Sequence, residues 1–255
     1  MSYRPHIHRQ MRVLTGIILL GALSACDGDS PAAPGNGQTQ PTGWYLQNPL
    51  PQEDDLRGVC FTDANTGTAV GDLGAILRTT NGGATWVKQN SGTIEFLFGV
   101  SFSDLNTGVA VGSNGTILRT TDGGANWVSQ SSGATMDLFG VSFIDANTGT
   151  AVGLGGVILR TTDGGDTWIS QTSGTIRNLR GVSFTNSDTV TVVGDNGTIL
   201  RTTDGGANWV SQSSGTAEIL LGVSFTDAST GAAVGSAGAI LRTFDGGATW
   251  VSQMI

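Results

Sequence analysis

Five copies of one short segment, RTTNGGATW, RTTDGGANW, RTTDGGDTW, RTTDGGANW and RTFDGGATW, hold an acid or amide, paired glycines and a tryptophan at fixed spacing. The positions are Asn81 and Trp86, Asp122 and Trp127, Asp163 and Trp168, Asp204 and Trp209, Asp245 and Trp250, with Arg78, Arg119, Arg160, Arg201 and Arg242 just ahead of them. A carboxylate beside an arginine suits acid-base work, metal ligation or anion binding. Repetition argues for something else. Catalysis needs one constellation unlike the others, whereas these residues are suited to being five copies of a turn. An Asp side chain accepts backbone N–H groups in its own turn, Gly allows the positive backbone angle, and Trp packs beneath as an apolar plug. Asn81 keeps the acceptor and loses the charge, which fits a turn and not proton transfer. The identical placement of the arginines favours hydrogen bonds or ion pairs to turns over an anion-binding ring.

Asp-x-Asn-Thr-Gly at 63–67, 104–108 and 145–149 has the look of a calcium loop. Such a loop needs six or more oxygens and a distal Glu, which nothing here supplies at a suitable spacing, so a turn is the better reading. Both histidines, His6 and His8, precede the apolar run at the amino terminus, and there is no GxSxG, no P-loop and no metal-ligand cluster. No metal or cofactor is expected. Cys60 stands where the other copies have Ser101, Ser142, Ser183 and Ser224, and reads as a small buried residue.

The amino terminus reads as an export signal: Arg4, Arg9 and Arg12 without an acid, then VLTGIILLGALS, then LSAC. Leu23-Ser24-Ala25-Cys26 resembles the bacterial lipobox, which implies a signal peptide over 1–25 and an acylated Cys26 as the first mature residue. Several acyl chains would anchor the protein firmly to a membrane, in the periplasm or on the outer surface of the cell membrane. Residues 26–43, with DGDSPAAPGNGQTQPTG after the Cys, read as a flexible tether. Beyond the signal, nine basic residues face twenty acidic ones, a balance of −11 that phosphate backbones would repel, so no nucleic-acid partner is expected.

The elements that must position these residues follow from the period. The five tryptophans are 41 residues apart every time, and so are the Gly-Val pairs at 58, 99, 140, 181 and 222. A period near 40 with turn glycines every eight to twelve residues predicts blades of four short strands, an all-β propeller of about five blades over 44–255. The repeats run from about 58–98, 99–139, 140–180, 181–221 and 222–255. In the second copy the predicted strands are 97–102, 108–112, 116–121 and 126–130, and the Gly, Val, Ile and Thr content excludes helices. WYLQ at 44–47 matches WVSQ at 250–253, one Trp strand too many for five blades. A closed five-bladed ring, with one of these strands completing a blade, is the expectation; an open propeller whose spare strand pairs with a second molecule is the alternative.

The box resembles the Asp-box, or bacterial neuraminidase repeat. The whole unit, GVSFxDxNTGxAVGxxGxILRTTDGGxxW, resembles the photosystem II assembly and stability factor family of Asp-box propellers. That resemblance implies a seven-bladed binding scaffold without a reaction, which in photosynthetic members holds a membrane protein during assembly; five copies depart from that blade number. Sialidases also carry Asp-boxes, but need a Tyr paired with Glu, an acid-base Asp and three converging arginines. Here Tyr45 is the one Tyr beyond the signal, and Glu53, Glu95 and Glu218 are the only glutamates. An enzyme is not expected; a glycan-binding or glycoside-cleaving propeller is the alternative to a scaffold for a membrane or cell-envelope protein.

Comparing the copies locates a surface for that partner. The first and third connections of each blade are nearly constant. The other two vary: Asp54 and Asp55, Glu95 and Phe96, Met136 and Asp137, Arg177 and Asn178, Glu218 and Ile219 between blades; Asp72, Asn114, Leu154 and Asp195 between second and third strands. In an antiparallel blade these two sets share one end of the ring, so one face is a repeated floor and the other a mixed acidic and apolar surface.

Overall fold

The computed structural model describes residues 54–253. The signal, Cys26, the tether, Tyr45 and the spare WYLQ strand lie outside them.

Each repeat forms one antiparallel sheet of four strands in sequence order. Blade 1 holds β1 (Leu56–Phe61), β2 (Gly67–Gly71), β3 (Ile76–Thr79) and β4 (Val87–Gln89). Blade 2 holds β5 (Leu97–Phe102), β6 (Gly108–Gly112), β7 (Ile117–Thr120) and β8 (Val128–Gln130). Blade 3 holds β9 (Leu138–Phe143), β10 (Gly149–Gly153), β11 (Ile158–Thr161) and β12 (Ile169–Gln171). Blade 4 holds β13 (Leu179–Phe184), β14 (Val190–Gly194), β15 (Ile199–Thr202) and β16 (Val210–Gln212). Blade 5 holds β17 (Leu220–Phe225), β18 (Gly231–Gly235), β19 (Ile240–Thr243) and β20 (Val251–Ser252). The first two predicted strands of the second copy match residue for residue; the outer two begin one or two residues later than expected. A tight three-residue turn with a left-handed central residue joins the second and third strands of every blade, as at Ser113–Gly115.

The core is a set of junctions between blades. Val70 and Ile76 of blade 1 pack on Leu97, Val100, Phe102, Ala110, Leu118 and Trp127 of blade 2. The same positions recur as Val111 and Ile117 against blade 3, Val152 and Ile158 against blade 4, and Val193 and Ile199 against blade 5. Burial of each such Val, Leu or Ile stabilises by about 1.5–3 kcal/mol, so a blade that cannot bury both faces alone does so between neighbours. A Phe from the inner strand meets the Trp of its own blade edge-on, as Phe102 does Trp127 with ring centroids 6.0 Å apart. These tryptophans are the apolar plugs expected of them.

Among the described residues the ring is not closed. Inner strands β1, β5, β9, β13 and β17 pack side by side in chain order, and the packing does not recur between β17 and β1. Leu56, Val59 and Phe61 are 49%, 40% and 39% exposed, whereas Leu97, Val100 and Phe102 are 0%, 8% and 9% exposed. At the other end a Cβ on Gly222 would meet only Val234, although one on Gly58, Gly99, Gly140 or Gly181 would touch the backbone of the next blade. Five junctions would be needed to close five blades, and four are made among the described residues.

Candidate functional site

The floor is built as the repeats imply. Thr120 Oγ1 donates to Asp122 Oδ1 at 2.8 Å and accepts the buried Gly124 N–H at 2.8 Å, while Asp122 Oδ1 accepts the Asn126 N–H at 2.9 Å. Gly123 and Gly124 have φ of +70° and +87°, the left-handed region that glycine adopts freely. The side chain and then the N–H of the residue four positions on, Asn126, Thr167, Asn208 or Thr249, hold Asp122, Asp163, Asp204 and Asp245 down to about 2. Asn81 accepts the Thr85 N–H in the same way without a charge. The neighbouring Asp-x-Asn-Thr-Gly turn is a local Asp cap: Asp63 Oδ1 accepts the Asn65 and Thr66 N–H groups at 2.6 and 2.7 Å. It then joins the box through Gly82 N–H to Asn65 O, and its equivalent in the fourth copy, which has lost the pattern, does so through Gly205 N–H to Asp188 O. Among the described residues no three His, Cys, Asp or Glu side chains converge as a metal site.

Three of the five arginines, not all five, reach turns, and those turns belong to the next blade. Arg78 donates to Leu105 O and Arg160 to Ser187 O, and Arg119 bonds Gly164 O and pairs with Asp166 at 2.9 Å. They tie blade to blade. Cys60 is half-buried, its thiol pushed up by burial, and takes the serine's place at that junction by facing the Phe102 N–H.

At the opposite end the two variable loop sets do come together. Glu95 accepts from Ser113 Oγ at 2.7 Å and Asn114 Nδ2 at 2.9 Å. Asp137 accepts the Asn114 N–H, Asn178 the Gly155 N–H, and Glu218 the Ser236 hydroxyl. Asn178 also donates to Asp195 at 2.8 Å. These residues are therefore braces for their own rim. Phe96, Met136 and Ile219 are exposed beside them, as are Asp55 and Arg177; Asp54 and Leu154 are half-buried. Leu73 and Ala237 sit at φ of 52° and 51°, where the other copies have Asn114, Gly155 and Asn196. Left-handed backbone strains a Leu or an Ala, and such strain gathers at functional surfaces.

Two features of this rim escaped sequence reading. Ile94 and Ile176 are its most exposed apolar side chains, at 80% and 88%. The second is a row on the inner strands. Pairing of the first two strands skips one residue between Leu56 and Gly58, and equally between Leu97 and Gly99, Leu179 and Gly181, and Leu220 and Gly222. Blade 3 skips between Leu138 and Gly140. The bulged residues are Arg57, Phe98, Phe139, Arg180 and Leu221, and a bulge re-aims its side chain. They meet one another across blades: Phe98 and Phe139 ring centroids lie 5.6 Å apart, and the Arg57 and Arg180 guanidinium carbons lie 5.7 and 5.2 Å from Phe98 and Phe139. Arg57 pairs with Asp72 and Arg180 with Asp195. Those hydrogen bonds raise the Arg57 value above its usual range and hold Asp195 below its own. The signal for this row was present: the second residue of L-x-G-V-S-F differs between copies while its neighbours do not.

Comparison with known proteins fits this geometry. The family model described as photosynthesis system II assembly factor YCF48 matches residues 91–173 and 133–213. The matched repeats, just under half of the chain, are similar to those of that family, and the solved structures below share the propeller fold. Among solved structures, one titled YCF48 bound to D1 peptide is 23% identical to this BNR propeller, with a TM-score of 0.63 over 81% of this chain and 70% of that one. YCF48 from Cyanidioschyzon merolae is 21% identical, with a TM-score of 0.55 over 82% and 87%. The GH74 enzyme of Niastella koreensis is 22% identical with a TM-score of 0.57, but the BNR propeller spans only 31% of it. No curated protein sequence matches.

Proposed function

We propose that this chain is a non-catalytic scaffold, held at a membrane through acylated Cys26, that takes a membrane or cell-envelope protein on the braced rim. The observation that carries this reading is the contrast between ends. One end repeats the same turn chemistry five times, while the other presents different side chains on an equally regular frame. Ile94, Phe96, Met136 and Ile176 are exposed there without hydrogen-bonding work to do, and exposed apolar side chains rimmed by polar ones suit a protein partner. A similar propeller, bound to a D1 peptide, supports a peptide segment as the recognised element. The GH74 neighbours keep a glycan reading as the rival; against it stands the use of Glu95 and Glu218 as braces for rim hydroxyls.

The test is an affinity pull-down of the acylated chain from its own membranes, with a control carrying Ile94→Asp, Met136→Asp and Ile176→Asp. Charge reversal at Glu95 or Asp137 would be a poor control, because it would unbrace the loops. Enrichment of one envelope protein that vanishes in the control supports the proposal. Equal recovery with both chains, or recovery of glycan alone, refutes it.

A further inference from the structure

The four junctions between blades are built from one set of parts. The earlier blade gives an inner-strand glycine, a serine two residues on, and the Val and Ile of its second and third strands; the later blade gives the Leu, Val and Phe of its inner strand. The glycine permits the approach: a Cβ on Gly58, Gly99, Gly140 or Gly181 would lie 2.9, 3.1, 2.8 or 3.1 Å from the backbone of the next inner strand. The serine adds a bond, Ser101 Oγ accepting the Phe143 N–H at 3.1 Å and Ser183 Oγ the Phe225 N–H at 3.2 Å.

Blade 5 carries the earlier half of a fifth junction and blade 1 the later half, and among the described residues the two do not meet. Gly222, Ser224, Val234 and Ile240 stand in register with Gly181, Ser183, Val193 and Ile199. The last three of blade 4 are buried, whereas their equivalents in blade 5 are half-buried, and a Cβ on Gly222 would meet only Val234. On blade 1 Ala69 and Leu77 are buried, so the open part of its face is the inner strand, with Leu56, Val59 and Phe61 exposed.

We infer that a second copy of this chain docks its β1 on the open face of blade 5, repeating between chains the inner-strand contact that each chain makes four times within itself. The match of parts favours a copy over an unrelated partner. The glycine, hydroxyl and branched side chains left over at one end find their complement at the other end of the same sequence. Arg242 fits the same contact. Arg78 and Arg160 donate to Leu105 O and Ser187 O of the next blade, whereas Arg242 is exposed and lies over Phe244 of its own blade; Ala64 holds the corresponding position on blade 1. Because the two surfaces differ, the contact is heterologous, and each added copy leaves one end of each kind for the next.

Sedimentation velocity of the full-length protein, in density-matched mild detergent with reductant to hold Cys60 as a thiol, tests this. Gly222→Arg fits the single chain, where nothing but Val234 lies against it, and blocks the contact as a side chain would at the other four junctions. Val59→Glu charges the docking strand at an exposed position. The parent is expected to rise above monomer mass with concentration, and each variant alone to stay at monomer mass. An equimolar mixture of the two variants is expected to give a dimer and nothing larger, since one intact end of each kind remains. A parent that stays monomeric up to about 1 mM, variants that associate as the parent does, or a mixture that stays monomeric overturns the inference. Far-UV circular dichroism checks each fold, and Ser224→Lys with Leu56→Lys is the replacement pair, read by the same outcomes. None of these results depends on the rim partner proposed above.

Discussion

Thr120→Val removes one hydroxyl from a fully buried site and leaves the shape, so its cost isolates what the repeated box contributes. Thr120 is 1% exposed; its Oγ1 donates to Asp122 at 2.8 Å, and accepts Gly124 N–H at 2.8 Å and Asp122 N–H at 3.3 Å. Stranding the buried Gly124 N–H costs about 1–3 kcal/mol. The bond to the carboxylate adds less than the full value for a charged acceptor, because Asp122 is exposed and water replaces the lost donor. The stranded N–H sets the loss at about 1–3 kcal/mol, and for a domain of this size about 2–10 °C in Tm. Thr79→Val is the internal comparison. It strands the equivalent Gly83 N–H but breaks a bond to neutral Asn81, so it costs about 1–2 kcal/mol. Urea denaturation of the full chain, followed by tryptophan fluorescence and far-UV circular dichroism, measures both. If Thr120→Val falls within about 0.5 kcal/mol of the parent, or Thr79→Val costs more, the box is not the stabilising device described.

Four further outcomes follow from the same geometry. Phe61→Ser costs about 1 kcal/mol or less while Phe102→Ser costs about 3–5, because only the latter empties a made junction; equal losses in urea melts would mean that the ring is closed. Gly112→Ala costs about 3 kcal/mol or more in the same assay, since its Cβ would lie 2.1 Å from Phe96 O on the rim loop. Thr150→Val raises stability by about 1 kcal/mol, because Thr150 Oγ1 is buried without a partner and the second copy already has Val109 there; a loss in the urea midpoint would count against it. The box carboxylates sit at about 2 in the folded chain, below their ordinary 3.8. The unfolded chain therefore takes up protons first, and their contribution is whole above the ordinary value and is lost as pH falls toward 2. Urea midpoints at decreasing pH show this as a decline that Asn81→Asp makes steeper.

A 41-residue period, turn glycines and alternating apolar residues determined the blade, its strand order and the chemistry of the Asp-box, because these are local matters of backbone angle, pairing and side chains bonding their own turns. The pairing of variable loops at one end was legible for the same reason: an antiparallel sheet alternates its ends. Whether five blades close depends on the angle at each junction, which Val70 and Ile76 set by packing on Leu97 and Phe102, and no period reports an angle. Nor could the repeat say that Arg78 bonds the next blade's turn rather than its own. The Arg57, Phe98, Phe139 and Arg180 row needed the bulge that turns each of them toward its neighbours, and Glu95 and Asp137 became braces only once their loops met. Local chemistry was written in the chain; contacts between blades came from the way identical units stack.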